Sequence, residues 1–294
     1  MRTGRTRCTL VWLAVLSVSA TGAFSRPNPN PATRMNLLTL RSEVFHNTRT
    51  IRVWLPIGYR DSPSRRYPVF YFTDGIATFH GRELDRISDE LMKTGKIKPW
   101  IFVGIDNGGS TTESTNPMWD RANEYLPYPD DDVNPPLPSP QGRLFPEFLE
   151  NEVRPLVESN YRTLNDPDHV GLGGASYGAV IALFTAIEHP GTYGRLLLES
   201  PSLYIGNRAL LHQASSLHNW PKRVYIGVGT KEGQGNAPHE MLADAQELVA
   251  TLKKTTGTLT CFVVVPGAEH GEDAWRARLP NALTFLLGSG PCPD

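Results

Sequence analysis

What most narrows the folds open to this chain is an alternation along it. Short, nearly continuous apolar runs recur between stretches whose apolar residues return at helical spacing. Trp100 to Ile105, Val170 to Leu172, Leu196 to Leu198, Val224 to Val228 and Phe262 to Val265 lack the in-and-out pattern of a half-exposed strand, so each reads as a strand covered on both faces. Leu84, Ile87, Leu91 and Met92, and later Phe145, Phe148, Leu149, Val153, Leu156 and Val157, recur as one face of a helix does. Strand and helix in turn require right-handed crossovers, which gives an α/β class with a mostly parallel central sheet and helices on both faces. Ahead of these, Leu37 to Phe45 and Thr50 to Leu55 read as an N-terminal antiparallel hairpin turning near Asn47-Thr48, with Val69 to Phe72 as the third strand. Ligand chemistry in such a sheet collects at the carboxyl ends of the strands.

The flanks of this pattern have their own character. Arg2, Arg5 and Arg7 precede the apolar run Leu10 to Val18, which is too short for a comfortable bilayer span and is followed by small residues at Ala20 and Ala23. Residues 1–23 therefore read as a signal peptide that sends the protein out of the cytoplasm, secreted or periplasmic, with an uncleaved anchor as the competing reading. Residues 24–36, rich in Pro and Asn, read as a stiff tether, 37–288 as one domain and 289–294 as a tail. With 29 basic and 30 acidic residues and no basic run beyond the leader, the chain has no electrostatic footprint for nucleic acid. Of three cysteines, Cys8 falls in the leader; Cys261 and Cys292 have no metal-ligand spacing, and Cys261, opening an apolar strand, reads as a buried filler and not as half of a bridge. The Pro-rich stretch Leu126 to Pro140 is neither helix nor central strand and reads either as a solvated insertion or as a rim over the site.

The strongest chemical signal is Gly174-Ala175-Ser176-Tyr177-Gly178, set between a strand and the helical run that begins at Ala179. A serine at a strand-to-helix corner takes a strained backbone that small neighbours must clear, and its hydroxyl then projects from the sheet edge. A serine needs a base, and the acid and histidine should follow it in chain order. Seven histidines lie early in the chain or against helices, His239 among them; His270 follows the last strand and precedes the C-terminal helix. Between Ser176 and His270, the turn Gly229 to Gly233 offers one carboxylate, Glu232, with Glu269 and Asp273 as substitutes. Oxyanion donors are expected from the N–H groups of Tyr177, at a helix N-terminus, and of Gly75 and Ile76, after the third strand, where Asp74 braces the loop. Arg121 and Tyr125 are candidates for binding an anionic or phenolic substrate group, the alternative for Arg121 being a salt bridge with Glu124. The chemistry needs no metal or organic cofactor.

Taken together, Arg49 to Pro56, Tyr67 to Tyr71 with the Asp74-Gly75 turn, Arg121 to Pro127, Gly173 to Gly178 and Glu199-Ser200-Pro201-Ser202 resemble the esterase D / putative esterase family of α/β-hydrolases over about Leu37 to Leu287. That family includes feruloyl esterases, S-formylglutathione hydrolases, enterochelin-type siderophore esterases and mycolyltransferases, and the siderophore-esterase branch looks most similar. The resemblance implies Ser176 as nucleophile, His270 as base and Glu232 at the position of the acid. Ala175 and Tyr177 depart from the family's common Gly-Gly-Ser-x-Gly-Gly elbow. The expectation is an exported serine carboxylic-ester hydrolase acting through an acyl-enzyme on a small-molecule ester, such as a siderophore trilactone or a feruloyl ester. Acyl transfer by the same residues and a non-catalytic binding protein of the same fold are the competing readings, and oligomeric state is not specified.

Overall fold

A computed structural model describes residues 34–131, 135–233 and 240–292. The leader, nearly all of the tether, His239 and the last two residues lie outside them. Eight strands form one sheet: β1 (Met35–Ser42), β2 (Asn47–Trp54), β3 (Val69–Thr73), β4 (Ile101–Ile105), β5 (Val170–Ala175), β6 (Arg195–Glu199), β7 (Arg223–Gly229) and β8 (Leu259–Val265), in the order β1-β2-β4-β3-β5-β6-β7-β8. β1 with β2 and β2 with β4 are antiparallel, and every other neighbouring pair is parallel. All residues of β3, β4 and β5 are buried, as runs without in-and-out alternation require. Chain order and sheet order diverge at β3 and β4, so the carboxyl end of β3 lies directly beside that of β5.

Helices α1 (Leu84–Lys93) and α8 (Glu272–Leu287) cover one face, where Leu84, Ile87, Leu91, Leu283 and Leu286 pack on Phe70, Phe72 and Phe102. The other face carries α2 (Pro117–Tyr125), α3 (Phe145–Phe148), α4 (Arg154–Asn160), α5 (Tyr177–Glu188), α6 (Ile205–Ala214) and α7 (Met241–Leu252). α5 is buried continuously from Gly178 to Ala186, so it is apolar all round and not amphipathic. Among the described residues no helix is long and apolar enough to cross a membrane.

Three sequence expectations change. The hairpin turns at residues 43–46, not at Asn47-Thr48, because His46 takes the left-handed conformation (φ 53°) and Ser42 pairs with Asn47. Within the Pro-rich stretch, Leu126 and Leu137 are buried and Asp130 bridges to Leu137, while Trp119 Nε1 donates to the carbonyl of Pro135 at 3.0 Å. A freely solvated insertion is thereby excluded for its described part. Cys261 and Cys292 form a disulfide, with Cα atoms 5.1 Å apart. α8 runs back along the sheet after β8, which returns the chain end to the start of that strand; spacing along the sequence carries no sign of this return.

Candidate active site

The site begins with backbone geometry at the carboxyl end of β5. Ser176 is held at φ 57°, ψ −126°, outside the regions that side-chain-bearing residues ordinarily occupy. Its N–H donates to the carbonyl of Glu199 on β6 at 2.9 Å, and its own carbonyl accepts from Ala179 and Val180, the first turn of α5. A Cβ at Gly174 would collide with Thr73 Oγ1 and the Gly178 backbone, and one at Gly178 with Thr73 Oγ1 and Asp74. Both positions are thus closed to any larger residue. Tyr177 is the first residue of α5, so its N–H is one of the donors a helix cannot satisfy internally.

His270 and Glu232 come to this corner from the two neighbouring loops. The His270 Nε2 lies 2.9 Å from Ser176 Oγ, and Nδ1 lies 3.1 Å from Glu232 Oε2. An ionised carboxylate only accepts, so Nδ1 carries the hydrogen and Nε2 presents its lone pair to the serine hydroxyl. The two loops are pinned to each other: Thr230 and Lys231 donate to the carbonyls of Val265 and Ala268. Trp275 of α8 meets the imidazole edge-on, its centroid 5.1 Å away. Neither substitute acid competes, since Asp273 is exposed and turned to Arg276 and Glu269 lies on the surface.

Glu232 itself is buried and held from several directions. Its Oε1 accepts from Gly229 N–H at 2.6 Å and from Ser200 Oγ at 2.7 Å, and lies 3.6 Å from the Arg278 guanidinium. Ser200, also buried, sits at φ 46° and in turn accepts from Trp275 Nε1 (2.8 Å) and Arg278 Nη2 (3.0 Å). Arg278 Nε donates to a second carboxylate, Glu199, at 2.7 Å. Burial pushes the Glu199 carboxyl up to about 7, with the neighbouring Glu232 adding to the rise and Arg278 opposing it.

On the other side of Ser176, Asp74 takes both arms of Arg121 (2.7 and 2.8 Å) and a hydrogen bond from Asn107 Nδ2 (2.7 Å), with Arg82 at 4.0 Å. Burial works to raise its pKa, but these partners outweigh it and hold the carboxyl below the ordinary 3.8. Arg82 also reaches Glu272, at the start of α8, and so ties the β3 corner to the histidine loop. Arg121 touches the Ala175 carbonyl at 3.4 Å and lies over the rings of Tyr125 and Tyr177. It is a brace between corner and elbow. Its expected alternative partner, Glu124, instead pairs with Arg49 at 2.7 Å in a buried contact.

Tyr125 is corrected as a substrate-binding candidate: it is completely buried, and its hydroxyl accepts from Asp74 N–H at 3.0 Å. Ile76 is corrected as an oxyanion donor: its N–H is taken by the Asp106 carboxylate, itself forked by Arg52. Sequence reasoning missed Ser200, Arg278, Trp275 and Arg82, all of which act on residues it did find. Only the Glu199-to-Ser202 segment carried a signal, as part of a resemblance. Ser202 is buried with its Oγ 3.4 Å from that of Ser176. Among the described residues no group of His, Cys, Asp and Glu has the arrangement of a metal site.

A mostly parallel sheet layered by helices on both faces, with a serine at the β5-to-α5 corner, defines an α/β-hydrolase. The family model described as "Putative esterase" matches residues 42–286, and the chain belongs to that family of carboxylic ester hydrolases. It is 25% identical over 253 residues to YbbA of Bacillus subtilis (strain 168), covering 84% of this chain and 96% of that one. Similarity to the iron(III) enterobactin esterase of Dickeya dadantii (strain 3937) is also 25%, over 271 residues, 88% of this chain but 56% of that longer protein. Among solved structures, the siderophore hydrolase EstB of Aspergillus nidulans superimposes with a TM-score of 0.69 at 17% identity, covering 89% of this chain and 97% of that one. A ferulic acid esterase gives 0.66 at 19%, covering 86% and 97%. At these identities the structural matches speak for the fold.

Proposed function

We propose that this protein is an exported serine esterase that cleaves small carboxylic esters through an acyl-enzyme on Ser176. The observation that carries the reading is the continuous relay Ser176 Oγ, His270, Glu232, with spacings of 2.9 and 3.1 Å. His270 Nε2 takes the Ser176 proton as Oγ attacks the ester carbonyl, while Glu232 steadies the imidazolium that forms. The Tyr177 N–H and the Gly75 N–H receive the carbonyl oxygen as it becomes an oxyanion, with the α5 dipole behind it. His270 then hands its proton to the leaving alcohol, and a water molecule, activated by the same nitrogen, releases the acid and restores the serine.

The related siderophore esterases and ferulic acid esterase support an ester of an aromatic acid or a siderophore lactone as substrate. The leader-like start of the sequence and the Cys261–Cys292 disulfide both support export to an oxidising compartment. The test is a panel of p-nitrophenyl esters, feruloyl esters and a catecholate trilactone, assayed with the native protein and Ser176→Ala. A fall in kcat/KM of roughly 10⁴-fold or more is expected; equal rates from the two proteins on every substrate would end the serine mechanism.

A further inference from the structure

The amino ends of the parallel strands form the end of the molecule opposite the active-site corners, and their charge is unlike that of the rest of the chain. Each of five strands is entered through basic residues: Arg65 and Arg66 before β3, Lys96 and Lys98 before β4, His169 before β5, Arg195 opening β6, and Lys222 and Arg223 at the start of β7. Because β4, β3, β5, β6 and β7 are consecutive in the sheet, the topology gathers these side chains at one end. Arg65, Arg66, Lys96, Lys98, His169 and Arg195 line a single cavity of about 440 Å³, and no carboxylate lines it. The overall net charge is −1, so this concentration of cations is local and not a property of the composition.

The cluster is also incompletely neutralised. The two nearby acids are engaged at the margin, Asp166 with His169 and Asp168 with Lys222. The Nε atoms of Arg195 and Arg223 are buried with no hydrogen-bond partner among the described residues. Arg195 otherwise donates to the Gly194 carbonyl, and Arg223 donates to the carbonyls of Gly288 and Gly290. Burial, with a smaller contribution from the neighbouring Arg223, holds the Arg195 pKa below its ordinary value, although Asp168 opposes the shift. An anion of more than one charge, with several acceptor oxygens, would relieve the repulsion among the lining cations. Phosphate has that chemistry, and guanidinium forks and ammonium groups recognise it in complementary ways.

We propose that this cavity is a binding site for a phosphate-bearing anion, large enough for a diphosphate or a phosphodiester headgroup. It is separate from the catalytic corners: the six residues of β5 put roughly 20 Å between them. The test uses the full chain, with calorimetric titration of inorganic pyrophosphate at low salt and co-sedimentation with vesicles of phosphatidylglycerol in phosphatidylcholine. The variant is Arg66→Gln with Lys98→Gln, both exposed side chains, checked by unchanged p-nitrophenyl ester hydrolysis and thermal melting. At least a tenfold weakening of pyrophosphate binding in the variant is expected. Vesicle binding without pyrophosphate binding, lost in the variant, assigns the same chemistry to a lipid headgroup. Absence of binding to both probes, or equal binding by native and variant proteins, overturns the proposal.

Discussion

On one side of Ser176 a single carboxylate, Asp74, is shared among Arg121, Arg82 and Asn107; on the other a single guanidinium, Arg278, is shared between Glu199 and Glu232. The first cluster has more positive than negative partners, and its acid is held ionised. The second is short of positive charge, and Glu199 is pushed up to about 7. The contrast separates two tasks. The Asp74 cluster fixes backbone, joining β3, α2, the elbow and the start of α8. The Arg278 cluster holds Glu232 against His270, and in the proposed mechanism Glu232 must stay oriented while the imidazole gains and loses charge.

The largest expected effect comes from removing the shared cation. Arg278→Met leaves two carboxylates buried without it and should cost about 3–5 kcal/mol of stability in urea unfolding, together with a fall in kcat. Adding Glu199→Leu should recover much of the stability, because it removes the surplus acid. A single Arg278→Met variant as stable as the native protein would show that the two clusters are not balanced differently after all.

The next effect is on pH dependence. Glu199 has a higher pKa folded than its ordinary 4.5, so the folded state holds its proton longer and stability falls as pH rises from 4.5 through about 7. The decrement is on the order of 3 kcal/mol across that window. Glu199→Gln should flatten this limb in unfolding curves measured between pH 4 and 8. An unchanged slope would place the missing charge elsewhere.

Asp74 has the opposite sign. Its folded pKa is depressed, so its contribution is present above 3.8 and lost as pH falls through the folded value. Asp74→Asn should destabilise by about 2 kcal/mol near neutral pH, as expected for unpairing the Arg121 fork, and the gap from the native protein should close in acid. A gap that does not narrow at all as the pH is lowered through the acid range would mean that the loss is one of packing and not of charge.

The parts legible in the sequence are those set by the immediate neighbourhood along the chain. The elbow can be read because Gly174 and Gly178 must be small for the backbone to approach Thr73 and Asp74, and His270 because chain order puts a base after the last strand. Glu232 follows from being the one carboxylate in its turn. What escaped was settled by distance in the fold. Tyr125 looks like a surface aromatic beside an arginine until α2 packs it inward beneath Asp74. Arg121 has two acids within reach along its own helix, yet its partner lies 47 positions earlier. Arg278 carries no local motif and Ser200 only the resemblance of its segment, and both gain their roles only when β6 and α8 meet over Glu232.

The covalent link between Cys261 and Cys292 closes a ring of chain spanning 31 positions, and His270, Trp275 and Arg278 all lie inside it. Fraying that starts at the C-terminus therefore stops at a knot of sulfur before it reaches the imidazole, its aromatic neighbour or the guanidinium above the acid. For the exported esterase proposed above, the half of the proposed relay contributed latest by the chain is thus fastened as a closed loop, a safeguard against proteases outside the cell.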